Sequence, residues 1–187
     1  MTRQLILIRH SVVEQQPNLP SKQWRLSANG RLLAAALTPK IAPYHPTRFI
    51  TSTEPKARET GQIIADLLNV PYTSAANLHE HDRTGASYLP NKAAFAALVE
   101  RFFREPEVLV FGRETAVQAQ TRFINAVNTI MTTYPNDTIA IVTHGTVLTL
   151  FAARHQPHLG AIAFWESLAM PCAFVTTWPD VGELRGA

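Results

Sequence analysis

The sequence predicts an α/β fold organised around a parallel sheet, in a single domain over residues 1–187. Two observations carry this. Leu5-Ile6-Leu7-Ile8 and Ile139-Ala140-Ile141-Val142 are short continuous apolar runs of the kind that suit strands buried on both faces. Segments with helical spacing lie between and after them, separated by turn residues. A length of 187 residues with 46% hydrophobic residues suffices for one proper core. A mean hydropathy of −0.03 fits a soluble globule.

Taken in order, the first strand ends abruptly at Arg9-His10-Ser11. Residues 12 to 25, with Pro17, Asn18 and Pro20, read as a loop placed to cover whatever lies at that strand end. Trp24 and Leu26 anchor its far side. Ser27 is an N-cap for a helix with Leu32, Leu33, Ala36 and Leu37 at helical spacing, closed by Pro39. A short strand is expected over 48–51, and Ser52-Thr53-Glu54-Pro55 opens a second helix, proline being acceptable in a first turn. Its apolar face comprises Ala57, Ile63, Ile64, Leu67 and Leu68, and residues 72–74 suit a third strand.

Residues 77–90 are polar and lack either period, which predicts a long loop. Helices follow over 92–103, with Phe95, Leu98, Val99 and Phe102 inward, and over 114–134, with Ala116, Ala119, Phe123, Val127 and Ile130 inward. Pro135-Asn136-Asp137 turns the chain into the second buried strand. That strand ends at His144-Gly145-Thr146, where another helix begins. Beyond Pro157 the pattern weakens, and residues 173–178 are expected as a final edge strand.

Seventeen Lys and Arg against fourteen Asp and Glu leave a net charge of +3. The basic residues are scattered, without the stripe and interleaved aromatics of a nucleic-acid surface. The amino-terminal apolar run is too short for a signal peptide, and nothing approaches the ~20 apolar residues of a membrane span, so a cytoplasmic protein is expected. Cys172, the sole cysteine, excludes an internal disulfide and a cysteine metal cluster, and its neighbours suggest a buried thiol without a catalytic role.

The two buried strands share one layout: each delivers a histidine at its carboxyl end, followed by a small residue. Taken alone, Arg9-His10 reads more simply as a strand that surfaces at a basic residue. Thr143-His144-Gly145 reads equally well as a strand-to-helix turn. In a parallel sheet, however, both carboxyl ends lie on one side, where open α/β sheets bind ligands, so His10 and His144 can meet across a cleft.

In their order and spacing, Leu7-Ile8-Arg9-His10-Ser11, Leu26-Ser27 with Gly30, Ser52-Thr53-Glu54-Pro55-Lys56-Ala57-Arg58-Glu59-Thr60, Leu78-His79-Glu80 and Thr143-His144-Gly145 resemble the histidine phosphatase superfamily, also called phosphoglycerate-mutase-like. The resemblance runs from residue 5 to about 150. It implies a three-layer sandwich, a mainly parallel sheet with helices on both faces, and a metal-independent phosphomonoester hydrolase without cofactor acting on a small phosphorylated substrate. His10 would be the nucleophile, holding the phosphoryl group as phosphohistidine while a carbonyl fixes its other nitrogen. Arg9 and a protonated His144 would donate to the phosphoryl oxygens, and Glu80 would serve as acid and then base, with a pKa matched to both tasks. The sequence departs from the family pattern at Ser11, where glycine is usual, and at Lys56, where many members have arginine. Lys56 keeps the charge but not the fork, and Arg58, two residues on, is the fallback for contacting phosphate.

Three other readings compete. A phosphoglycerate mutase would return the phosphoryl group to a second hydroxyl of the substrate. A non-catalytic binder of phosphorylated ligands would show affinity without turnover. His79-Glu80-His81-Asp82 suggests a metallohydrolase, but no second ligand cluster appears and Arg9 would repel a cation; without a metal, His79, His81 and Asp82 read as a solvated polar loop. Specificity is expected to reside in residues 12–25 and 81–115.

Overall fold

The structure, a computed structural model, describes residues 2–86 and 89–187, so Ser87 and Tyr88 of the expected 77–90 loop lie outside the described residues. Strands β1 (Arg3–Arg9), β2 (Arg48–Ser52), β3 (Tyr72–Ala75), β4 (Ile139–Thr143), β5 (Cys172–Trp178) and β6 (Arg185–Gly186) form one sheet in the order β3-β2-β4-β1-β5-β6. The first four run parallel. β5 is antiparallel to β1, and β6 is antiparallel to β5. Helices α1 (Ala28–Ile41), α2 (Pro55–Leu68), α3 (Lys92–Arg104), α4 (Ala116–Thr133), α5 (Gly145–His155) and α6 (Ala161–Ser167) surround it.

The apolar runs at the centre explain the three layers. Successive strand residues face opposite sides, so Leu5 and Leu7 of β1 join one cluster while Ile6 and Ile8 join another. The first cluster includes Phe123 and Val127 of α4 with Leu148 and Phe151 of α5; the second includes Leu37 and Ile41 of α1 with Ala57 and Ile64 of α2. All four β1 residues from Leu5 to Ile8 are fully buried, each contributing about 2 kcal/mol from its buried side chain. Phe102 of α3 packs separately with Ala116, Ala119 and Leu150.

Ser27 caps α1 by accepting the Gly30 N–H at 2.9 Å, as its sequence context predicts. The rest of that helix departs from the prediction. Gly30, Ala34, Leu37, Thr38 and Ile41 are buried, whereas Leu32 is 71% exposed. The inward stripe includes a glycine, an alanine and a threonine, so counting large aliphatics alone selects the wrong face. Gly30 is required on that face, because a Cβ there would lie 1.9 Å from the Val12 carbonyl oxygen. Pro39 does not close α1, which runs on to Ile41: in the last turn its missing N–H costs a single bond.

Leu67 of α2, expected inward, is exposed, and the buried positions there are Lys56, Ala57, Thr60, Gly61, Ile64 and Ala65. β5 is not the edge strand, since β6 pairs outside it. The weak pattern past Pro157 contains α6, whose residues are all at least partly exposed, which removes the periodic signal. No described helix is long and apolar enough to cross a membrane.

The segment after β3 has no regular ladder to hold it, and Arg122 of α4 supplies one. Its guanidinium makes a bidentate pair with Glu114 at 2.6 and 3.0 Å and donates to the carbonyls of Asn77, His79 and Glu80 at 2.8, 3.0 and 3.3 Å. Glu114 in turn accepts the Asp82 N–H at 2.8 Å, and Thr143 Oγ1 donates to the Leu78 carbonyl at 2.8 Å. Removing the guanidinium leaves a half-buried carboxylate and three carbonyls without their donor. Arg122→Ala is therefore expected to lower the unfolding free energy by about 3 kcal/mol, measured by urea denaturation. Lysine at the same position, a point charge without the fork, should recover less than half of it.

Candidate active site

In the parallel register of β1 and β4, Arg9 lies opposite Thr143, which sets the next residues, His10 and His144, side by side at the carboxyl edge. The His10 N–H extends the ladder to the Thr143 carbonyl at 2.9 Å. The two rings stand edge to face with centroids 5.1 Å apart. Both are buried, with His10 7% and His144 0% exposed.

His10 Nδ1 lies 2.8 Å from the Ser11 carbonyl oxygen. A carbonyl can only accept, so Nδ1 carries the proton and the lone pair is on Nε2. Burial, with His144 and Lys56 alongside, pushes the His10 pKa well below its ordinary 6.5 and keeps the ring neutral. Ser11 adopts no left-handed backbone: among the described non-glycine residues, positive φ occurs at His45, Asn69 and Asn77. Its N–H donates to Thr60 Oγ1 at 3.0 Å and its hydroxyl to the Gly30 carbonyl at 2.7 Å, fastening the strand end to α1 and α2. The serine thus fills a site that a glycine would leave without these hydroxyl contacts.

His144 precedes α5 as its N-cap, yet its side chain does not cap the helix. Its Nε2 is 2.9 Å from Ser52 Oγ and 3.7 Å from Glu54 Oε1, and its Nδ1 is buried without a partner. The helix start is capped from outside by Glu80, whose Oε2 accepts the Thr146 N–H at 3.1 Å and whose Oε1 accepts that of Val147 at 3.3 Å. A carboxylate there sits in the positive end of the helix and is delivered by the loop that Arg122 holds.

Two sequence expectations about charge change at this point. His144 was expected as a charged donor. Burial, with Lys56 next to it, instead lowers its pKa well below 6.5, which favours the neutral ring. Glu80 was expected to have a pKa suited to both giving and taking a proton. Burial raises it, but the Arg83 guanidinium 3.7 Å away and the N–H groups of His81 and Thr146 outweigh burial and hold the carboxyl well below its ordinary 4.5.

Arg9 lies across Gly145, where a Cβ would come within 3.1 Å of its Nε, and it donates to the Leu168 carbonyl. Cys172 is half-buried beside Arg9, and burial pushes its thiol up to about 11, so it is no nucleophile. Lys56 is buried at the start of α2. Its Nζ donates to Glu54 Oε2 at 2.5 Å and to the Ser21 carbonyl at 2.7 Å. Arg58 is exposed and is not brought to the cluster.

His81 is not part of a solvated loop. It is buried between Phe102 and Phe111, with ring centroids at 4.2 and 4.6 Å, and its Nε2 is 3.1 Å from the Glu114 carbonyl oxygen. Among the described residues no group of three His, Cys, Asp or Glu is arranged to hold a metal ion.

A cavity of about 1060 Å³ opens over Glu54 and Glu80. Its walls include Leu19, Lys22 and Trp24 from the 12–25 loop and Arg83, Phe95 and Phe111 from the 81–115 region. Glu54, Arg83 and Arg122 were not singled out by sequence reasoning. Glu54 stands inside the quoted motif beside Lys56, where an acid within a basic phosphate signature was the available signal. Arg83 gave a weaker one as a lone cation in an acidic loop. It covers the Phe95 ring at 4.8 Å and donates to Thr146 Oγ1 at 3.1 Å. Arg122 gave none.

The comparisons agree with this geometry. The chain is 25% identical over 145 residues to an uncharacterised phosphatase, PhoE, of Bacillus subtilis, covering 76% of this chain and 72% of that protein. Its fold is similar to a mycobacterial glucosyl-3-phosphoglycerate phosphatase (TM-score 0.75, 16% identity, covering 100% and 97% of the two chains). It is equally similar to a phosphoglycerate mutase of Bacillus anthracis (TM-score 0.74, 14% identity, covering 100% and 92%). The family profile of the histidine phosphatase superfamily, branch 1, matches residues 5–177, and with the paired histidines at one sheet edge this places the chain in that superfamily.

Proposed function

We propose that the protein is a phosphomonoester hydrolase working through a phosphohistidine on His10. The observation that carries this reading is the bond from His10 Nδ1–H to the Ser11 carbonyl, which leaves a neutral ring with its Nε2 lone pair available beside His144. A neutral imidazole attacks phosphorus in line, the P–O bond to the alcohol breaks, and the phosphoryl group rests on Nε2 until water displaces it. Arg9 and Lys56 supply the positive charge, and His144, with its unpartnered Nδ1, supplies a further nitrogen in the same pocket.

Glu80 in its ionised form is the base that the second step needs, taking a proton from the attacking water. For the first step it must carry a proton to the leaving oxygen. A phosphomonoester brings close to two negative charges into the pocket, which raises the pKa of any carboxyl beside it, and it competes with Glu80 for Arg83. Substrate binding thus weakens the hold of Arg83 on Glu80 and adds negative charge beside it, and both favour the protonated carboxyl.

The alternative, a phosphoglycerate mutase, draws on the fold likeness to the Bacillus anthracis enzyme. It predicts bisphosphate-dependent isomerisation of phosphoglycerate, whereas the hydrolase releases inorganic phosphate from several esters. No step of the hydrolase scheme uses a metal, so turnover should persist with chelator present.

With an aryl phosphate, His10→Ala is expected to abolish turnover and the acid-labile phosphoenzyme; turnover at the wild-type rate would end the phosphohistidine reading. Glu80→Gln should slow esters with poor leaving groups by about a hundredfold or more, in the range usual for a lost general acid, and good leaving groups far less. Equal losses would make Glu80 a positioning residue only. Because the His10 pKa is depressed, the nucleophile stays neutral as pH falls through 6.5. The acid limb of kcat/KM, corrected for the ester's own ionisation near pH ~6, should therefore lie below 6.5. A limb at or above 6.5 in the pH–rate profile would contradict the neutral, buried nucleophile.

A further inference from the structure

The phosphate pocket already contains an anion. Glu54 is 8% exposed, and both of its oxygens are engaged: Oε2 with Lys56 Nζ at 2.5 Å, Oε1 with the Glu80 N–H at 3.0 Å. Oε1 also stands 3.7 Å from His144 Nε2. The carboxylate therefore touches the ammonium, the backbone that carries Glu80, and the second histidine. The helix start does not require a charge here, although the carboxylate also serves as the counterion of the buried Lys56 ammonium. The α2 start is served by Pro55, and the Glu54 side chain caps none of its N–H groups. The Glu80 N–H needs only an oxygen, which an amide would supply equally well.

The charge count gives Glu54 its consequence. The cations that act on the paired histidines and Glu80 are Arg9, Lys56 and Arg83, the carboxylates there are Glu54 and Glu80, and both histidines are neutral. One net positive charge remains for a phosphoryl dianion. Lys56 has three N–H groups; Ser21 and Glu54 take two, and the third is left for a phosphoryl oxygen. Any such oxygen then shares its ammonium with a carboxylate.

We propose that Glu54 is an internal counter-anion that occupies Lys56 in the empty site and, by its charge, keeps inorganic phosphate loosely bound so that product leaves. This rests on the phosphohydrolase reading and assigns to the same site a residue that governs product release. The contest is between the product and a tethered carboxylate for one cation. Phosphate gains Lys56 only against the repulsion of the group already on it.

The test is the inhibition constant of inorganic phosphate against an aryl phosphate, for wild type, Glu54→Gln and Glu54→Asp. Glutamine keeps an oxygen for the Glu80 N–H and removes the charge. It should lower the inhibition constant by at least about tenfold, the scale of one charge acting on a dianion ~6 Å away even under nearly water-like screening. Aspartate keeps the charge and should keep the weak inhibition of the wild type. An unchanged or raised constant in a folded Glu54→Gln protein would overturn the proposal, because a merely structural role can weaken phosphate binding but not tighten it. If Glu54→Gln does not fold, Glu54→Asn, which is neutral and keeps an amide oxygen, makes the same prediction. A wild type that phosphate does not inhibit at all, and whose His10 forms no phosphoenzyme, would instead remove the underlying hydrolase reading.

Discussion

Everything at this site depends on the parallel register of β1 and β4. A one-residue slip would turn His10 or His144 to the other face of the sheet, because side chains alternate along a strand. The register is enforced from both faces at once. Leu5 and Leu7 must enter one helix layer and Ile6 and Ile8 the other, while Ile139 to Val142 do the same in the neighbouring strand. The hydrophobic core thereby fixes the distance between two polar rings that contribute little to stability themselves.

Placing two imidazoles at a sealed sheet edge has an electrostatic consequence. Burial disfavours their charged forms, so the pocket starts from neutral histidines, and its positive charge comes from Arg9, Lys56 and Arg83. Only a neutral ring has a lone pair to offer, which suits the nucleophilic role proposed for His10. The same burial leaves α5 without a cap from its own N-cap residue, because His144 is turned toward Ser52. Glu80 fills that role from another segment, and the helix start and the Glu80 carboxylate become one structural unit. Arg122, Glu114 and Thr143 hold the backbone of that segment, so a loop without a ladder is placed as firmly as a strand end.

The sequence disclosed the parts that repeat or follow a period. Two apolar runs each ending in histidine, a serine N-cap at Ser27 and a proline at the first turn of α2 are local signals, and all reappear in the fold. What stayed hidden was non-local. Leu32, large and aliphatic, is exposed, because the buried stripe passes through Gly30 and Ala34. His81 resembled a metal ligand or a wet loop residue because the aromatic rings that enclose it lie 21 and 30 positions away, at Phe102 and Phe111. Arg122 sits on a helix face among polar neighbours, and nothing in its own segment indicates that it binds carbonyls more than forty residues earlier.

Glu54 shows the limit of a motif from the other side. The segment from Ser52 to Thr60 is a phosphate-binding signature by its resemblance, and a signature directs attention to its basic residue. The structure gives that residue a partner at 2.5 Å before any ligand arrives. An arginine at position 56 could present one edge of its fork to a carboxylate and the other to a phosphate, whereas the single nitrogen of lysine must serve both. The lysine and the glutamate therefore act together. The narrower cation lowers the pull on phosphate, and the carboxylate lowers it again, which suits the proposed hydrolysis, whose final step is to let phosphate go.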